Sequence, residues 1–191
     1  MLADGELTPA SDDASFRRYF RWQTKVESFI VMDAPPEKED CLPFLRVAGY
    51  LEAMRLNAPR VLEANVDDGF LLLTDLGSQP YLDELRRDAG KATLLYADAI
   101  AALLSMQQRG AAFQSSLPAY DENLLRFELS LFRDWLCDVH LRLPFSREDE
   151  AAWQKCCDML VDNALHQPQV FVHRDYHSRN LMCTRENNPG I

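Results

Sequence analysis

The sequence predicts an α+β protein, with a small antiparallel sheet in the first third of the chain and a mostly helical region after it. Two observations carry this. Short apolar runs bounded by turn residues dominate up to residue 74, and from Asp75 onward apolar residues recur at helical spacing. A third observation, a polar loop between two apolar runs near residue 175, locates the chemistry.

In the first third, residues 15–22 are rich in aromatics, with Phe16, Phe20 and Trp22 on one parity. Residues 28–32 form a second apolar run, and 23–27 fit a hairpin connection between the two. Ala34-Pro35-Pro36 stops the second strand, because proline has no N–H to donate. Leu42, Leu45, Ala48, Leu51 and Met54 then repeat at helical spacing, and Pro43 is tolerable in a first turn. Residues 60–64 and 70–74 read as another strand pair, joined by Val66-Asp67-Asp68-Gly69 with its Asp-Gly turn signal.

The helical region opens with residues 81–89, ended by Gly90, and 92–109, stopped by Gly110. Residues 121–141 read as one further helix. Ser146, with Asp149 three positions on, caps another that Pro168 closes. Strands are expected to return at 170–172 and 181–184. The change of character near Asp75-Leu76-Gly77 divides the chain into residues 1–76 and 77–191.

Composition narrows the function. The net charge is −10, from 30 acidic and 20 basic residues, which argues against nucleic acid as a partner. Lysine is confined to Lys25, Lys38, Lys91 and Lys155, so positive charge is mostly arginine, which suits forked contacts to phosphate or carboxylate. The five cysteines, Cys41, Cys137, Cys156, Cys157 and Cys183, include no Cys-x-x-Cys pair and read as reduced thiols in or near the core. A cytoplasmic setting follows from that reading. No run approaches the length of a membrane span and the start lacks the shape of a signal peptide, so a soluble chain with no membrane partner is expected.

The apolar run Val170-Phe171-Val172 leads into His173-Arg174-Asp175-Tyr176-His177-Ser178-Arg179-Asn180, and Leu181-Met182 follows. His-x-Asp with Asn five residues after the Asp is the spacing of a kinase catalytic loop. Such chemistry needs a carboxylate to orient the acceptor hydroxyl and take its proton, and a neutral oxygen ligand for Mg²⁺ across the same loop. Asp175 is the candidate base, Asn180 the candidate metal ligand, and His173 the residue bracing the loop. A rival reading puts His173, Asp175 and His177 on one face of an extended strand as metal ligands of a hydrolase. His140 and His166, near helix C-termini, offer it no second cluster.

The loop resembles that of the aminoglycoside phosphotransferase and choline kinase superfamily. Residues 14–21, 31–36 and 70–77 are similar to a bacterial branch of anomeric N-acetylmuramate and N-acetylglucosamine kinases that serve peptidoglycan recycling. The resemblance implies a protein-kinase-like two-lobed fold. Residues 1–76 would be the nucleotide-binding lobe, and 77–191 a partial helical lobe carrying catalytic loop 173–180. It implies ATP and Mg²⁺ as cofactors and a small-molecule sugar as substrate. Residues 11–20 would form a hairpin over the phosphates, with Ser15 and Arg17 as candidates, and Thr74, Asp75 and Leu76 a hinge whose backbone reads adenine. The usual ATP-pairing lysine is missing from Phe29-Ile30-Val31-Met32, which leaves Arg17 or Arg18 to meet the phosphates. The family's second metal carboxylate would fall where the chain reads Asn188-Pro189-Gly190-Ile191, so a truncated kinase, inactive by itself, is expected. An aminoglycoside antibiotic kinase and an inactive fragment that binds a partner stand as alternatives. A protein kinase is set aside, since no Gly-x-Gly-x-x-Gly loop or Val-Ala-Ile-Lys strand is present. The oligomeric state is left open.

Overall fold

The structure, a computed structural model, describes residues 4–12 and 16–191. Five strands form one antiparallel sheet: β1 (Glu6–Asp12), β2 (Arg18–Gln23), β3 (Ser28–Asp33), β4 (Val61–Asn65) and β5 (Phe70–Thr74), in the order β1-β2-β3-β5-β4. Helix α1 (Leu42–Ala53) lies between β3 and β4 in sequence. The expected strand-strand-helix-strand-strand order is present, preceded by a strand that the sequence pattern did not announce. β1 reads Glu-Leu-Thr-Pro-Ala-Ser-Asp and has no apolar alternation. It sits at the sheet edge, where Pro9 is tolerable because one side of an edge strand donates nothing.

The inner face of the sheet is set by cross-strand pairs. Met32 stands opposite Leu71 and Ile30 opposite Leu73. Met32, Ala34, Cys41, Leu71 and Leu73 form the buried cluster, flanked by Tyr19, Phe44, Leu45 and Val61. In β2 it is therefore Tyr19 that meets the core. Trp22 stacks on Phe29, ring centres 5.7 Å apart, at a position where the two residues pair across the strands.

The β4–β5 turn follows from its sequence. Asn65 and Asp68 bond each other's groups, and Gly69 takes φ 76°, with its carbonyl accepting from the Ala34 N–H at 2.8 Å.

After β5 come α2 (Tyr81–Arg87), a short 3-10 turn (Ala89–Lys91) and α3 (Ala92–Gly110). α3 does end at Gly110, but not by a left-handed glycine stop, since Ala111 after it is still right-handed helical (φ −53°, ψ −32°). Glycine is required there by packing, because a Cβ would stand 2.4 Å from the Cβ of Phe171. A second core joins Tyr81, Leu95, Ala99 and Leu181. The stretch Ala89–Gly110, mean hydropathy 1.2, is long and apolar enough to cross a membrane, contrary to the sequence expectation. In the fold one face of it is packed, with Leu95, Ala99 and Met106 buried and Asp98 accepting a hydrogen bond from Asn188 at 2.8 Å, while Leu94, Ile100 and Leu104 are exposed.

Packing divides the chain into two compact units, Met1–Ala112 with Phe171–Ile191, and Phe113–Val170. The change from strand to helix near residue 76 lies inside the first. The second holds α4 (Glu122–Leu131), a π-helix (Phe132–His140) and α5 (Arg147–Leu165). The single helix expected over 121–141 thus changes register, with Leu141 N–H closing onto the Leu136 carbonyl at 2.9 Å. Apolar residues spaced four and five apart satisfy either ladder, so the pattern did not distinguish them. Phe132 and Phe145 both pack on Trp153. The capping box at Ser146 and Asp149 forms as read.

The expected strands at 170–172 and 181–184 do not form. Met182 instead makes isolated bridges to Pro80 on one side and Gly190 on the other. Proline cannot extend a ladder, so pairing stops at one residue.

All five cysteines are free; Cys41, Cys137 and Cys157 are buried, whereas Cys156 is exposed.

Gly69→Ala is expected to destabilise the sheet by about 1–3 kcal/mol or more, since it combines a left-handed backbone with overpacking. The added Cβ would stand 2.0 Å from the Ala34 carbonyl oxygen. A denaturant midpoint equal to wild type would show that the turn relaxes freely.

Candidate active site

The segment 173–180 is held by the start of α2. Pro80, the residue before the helix, offers no side-chain acceptor. The first helical amides find theirs in the loop: Tyr81 N–H donates to the Leu181 carbonyl and Leu82 N–H to the Ser178 carbonyl, each at 2.8 Å. Cys183 N–H adds a bond to the Gln79 carbonyl at 2.8 Å. From the other side, Tyr176 donates its hydroxyl proton to the Ala99 carbonyl of α3 at 2.7 Å. Burial pushes that phenol up to about 12, so it stays a donor.

Within this frame Asp175 and Asn180 come together. The Asn180 amide nitrogen donates to the Asp175 carbonyl at 3.1 Å and to its carboxylate. His177 Nε2 lies 2.9 Å from the other carboxylate oxygen, and His177 Nδ1 accepts from the Arg179 N–H at 3.2 Å. An Nδ1 that accepts leaves the ring proton on Nε2, aimed at Asp175. His177 is thus a member of the site that sequence spacing had assigned only to the rival metal reading. The carboxylate is 68% exposed, open to a substrate.

His173 sits behind this group. Its ring packs edge-on against Tyr176 at 5.3 Å, and its Nδ1 is buried without a hydrogen-bond partner. Burial lowers its pKa below the ordinary value; the Asp175 charge opposes this and His177 adds to it. The extended strand required by the rival reading is absent, because Arg174 takes φ 72° and breaks the alternation. Among the described residues no group of three or more His, Cys, Asp or Glu could hold a metal ion.

The hinge candidates are placed as follows. Thr74 pairs with Arg60, its Oγ1 accepting from the Arg60 N–H at 2.9 Å. The Asp75 carboxylate is 6% exposed and faces back into the sheet, where Arg21 holds it at 2.6 and 3.1 Å. Burial alone would raise Asp75; the hydrogen bonds from Arg21, Ser28 and the Gly77 N–H outweigh it and hold the carboxyl below its usual range. Leu76 packs against Gly190. On the hairpin, Arg17 is paired with Glu39 at 3.2 Å and Arg18 with Asp33. Glu39 also accepts from the Phe16 N–H at 3.1 Å, which ties the hairpin end to the turn after β3. Ser15 lies outside the described residues.

The donor set fits a hard divalent cation. The Asn180 amide nitrogen is committed to Asp175, leaving its oxygen as the end available to a cation, and carboxylate and amide oxygens are the ligands Mg²⁺ prefers.

Residues 6–191 match the phosphotransferase enzyme family (APH). The chain is 53% identical to an N-acetylmuramate/N-acetylglucosamine kinase of Pseudomonas aeruginosa over 97% of its own length and 54% of that protein. Kinases of the same name match from Pseudomonas putida, at 47% identity over 98% of this chain and 54% of the relative, and from Neisseria meningitidis, at 39% over 98% and 56%. The chain therefore spans about half the length of the curated relatives it matches. Two solved structures of APH(2")-IIa share its fold. The gentamicin complex has TM-score 0.60 at 15% identity and covers 97% of this chain and 62% of that one. The streptomycin-ATP ternary complex has TM-score 0.59 at 16%, covering 97% and 63%.

A buried neutral imidazole predicts acid sensitivity. The unfolded chain takes up a proton at His173 near pH 6.5, the native chain only at lower pH, so stability is expected to fall as pH drops below about 6.5. Comparing denaturation midpoints of wild type and His173→Gln between pH 7.5 and 5 checks this. The variant's curve should be flatter, and parallel curves would remove His173 from the acid response.

Proposed function

From its membership of the phosphotransferase enzyme family, to which the chain belongs, we propose that it carries the nucleotide lobe and catalytic loop of an ATP-dependent small-molecule kinase. Its acceptor is the anomeric hydroxyl of an N-acetylated amino sugar recovered from the cell wall. The observation that carries the reading is the exposed Asp175 carboxylate, held between His177 and Asn180 on a loop that α2 and α3 pin in place.

In this reading Asp175 accepts a hydrogen bond from the acceptor hydroxyl, orients it and takes its proton as the oxygen attacks. His177 and Asn180 keep the carboxylate in one rotamer, leaving its remaining lone pairs for the substrate. His173 braces the loop through its packing on Tyr176. Asn180 would hold Mg²⁺ through its amide oxygen, and the cation, when bound, supplies charge neutralisation on the transferred phosphoryl group. The hinge residues Thr74, Asp75 and Leu76 would meet the base through backbone rather than side chain, and the Thr74 N–H, which donates to the Arg60 carbonyl at 3.0 Å, is not among the groups free for it. Arg17 would reach the phosphates only by exchanging Glu39 for them, so phosphate binding and release of the hairpin are coupled.

The sugar assignment draws on the named relatives. The acidic residues support it, because Asp83-Glu84, Asp121-Glu122 and Glu148-Asp149-Glu150 are spread along helices rather than gathered for a polycation. The isolated chain, half the length of those relatives, is expected to turn over negligibly.

The test is a chimaera carrying this chain in place of the matched 186 residues of the Pseudomonas aeruginosa relative. It should phosphorylate N-acetylmuramate and N-acetylglucosamine with ATP, and leave their methyl glycosides untouched. Efficient phosphorylation of kanamycin or of a methyl glycoside would overturn the acceptor assignment. In the same chimaera Asp175→Asn should lower kcat roughly 10²–10⁴-fold with little change in nucleotide affinity. Near-normal turnover would remove Asp175 from the mechanism.

A further inference from the structure

Three polar side chains share the inner face of the sheet at its hinge end. Arg21 stands opposite Ile30, whose side chain packs on the core, and Ser28 lies two residues before Ile30 on the same face. Asp75 lies two residues after Leu73, again on that face. An arginine at such a position interrupts an otherwise apolar surface and requires a compensating partner.

Asp75 is that partner, and it is used completely. Its carboxylate accepts from Arg21 Nε at 2.6 Å, Arg21 Nη2 at 3.1 Å, the Ser28 hydroxyl and the Gly77 N–H at 2.9 Å. Arg21 Nη2 also donates to the Gly77 carbonyl at 2.8 Å. Both peptide groups of Gly77 are therefore gripped, although Gly77 has φ 94° and a Cβ there would meet nothing within 4 Å. The β3–β5 ladder ends at the Phe29–Thr74 pair, so the sheet itself does not hold residues 75–77. Their conformation is set by the side-chain network.

We propose that Arg21 and Ser28 are positioning residues for the nucleotide base: acting through the Asp75 carboxylate, they preset the backbone of residues 75–77. This rests on the reading of that segment as the nucleotide hinge. An arginine fork fixes both the direction and the distance of the carboxylate, and Gly77 follows because the same two groups hold it. A preset turn presents its peptide groups to the base without ordering cost at the moment of binding. The effect belongs to the base and not to the phosphates, which are met elsewhere on the lobe.

That difference defines the experiment. The 191-residue chain is titrated with ATP, GTP and inorganic tripolyphosphate, each with Mg²⁺, by ligand-observed NMR. Wild type, Arg21→Lys, Ser28→Ala and Arg21→Gln are compared, with amide exchange followed at Leu76 and Gly77. Arg21→Lys keeps the charge but loses the fork, and Ser28→Ala removes one donor, so these two decide the outcome where Arg21→Gln fails to fold. The expected result is a loss of ATP affinity of about tenfold, unchanged tripolyphosphate binding and faster exchange at both amides. An ATP-to-GTP preference that survives in Arg21→Lys and Ser28→Ala, or a loss shared equally by tripolyphosphate, would overturn the proposal and leave the hinge reading standing. A wild-type chain with no preference for ATP over GTP would overturn the hinge reading itself, and the proposal with it.

Discussion

Helix α2 begins after Pro80, a residue with no side-chain acceptor, and so its first amides must be satisfied from elsewhere. The carbonyls of Ser178 and Leu181 do this, although they come from the far end of the chain. A buried amide without a partner costs about 1–3 kcal/mol, so the two bonds hold the 173–180 loop and the helix to each other. Each solves the other's problem, since the loop has no ladder of its own. The exposed cluster of Asp175, His177 and Asn180 keeps its geometry because everything behind it is anchored: Tyr176 on α3, Leu181 in the second core, and Asn188 on Tyr81 and Asp98.

A second constraint runs through the sheet. Arg17, Arg18 and Arg21, all on the hairpin, are each engaged by a carboxylate: Glu39, Asp33 and Asp75. The three arginines of this hairpin are thus each used in an internal ion pair. Of the three, only the Arg21–Asp75 pair buries its carboxylate nearly completely, and it does so where the sheet stops supporting the chain. The carboxylates of the Arg17–Glu39 and Arg21–Asp75 pairs differ in exposure, 14% for Glu39 and 6% for Asp75.

Much of this was legible in the residues. Four of the five strands, α1, the Asp-Gly turn and the Ser146 capping box are local signals, each readable within a few positions. The Asp175–Asn180 spacing placed two site residues together without any knowledge of the fold. β1 escaped because an edge strand with a proline needs no apolar alternation. The π-helix escaped because the same apolar residues serve ladders closing four or five residues on. The strands expected around the 173–180 loop failed for the opposite reason: their apolar runs were real, but they feed a helical core and two isolated bridges rather than a sheet.

His177 and Arg21 mark the boundary most clearly. The sequence by itself determined most of the elements and singled out the loop of the candidate site, because period, turn residues and motif spacing are properties of neighbours in the chain. Only the tertiary structure decided that His177 turns to Asp175 once Arg174 takes φ 72°, that Asp75 faces inward to Arg21, and that the loop caps α2. Those outcomes depend on hydrogen-bond donors and acceptors that lie far apart in sequence and are buried together on folding, where each group must find a partner and local pattern does not say which.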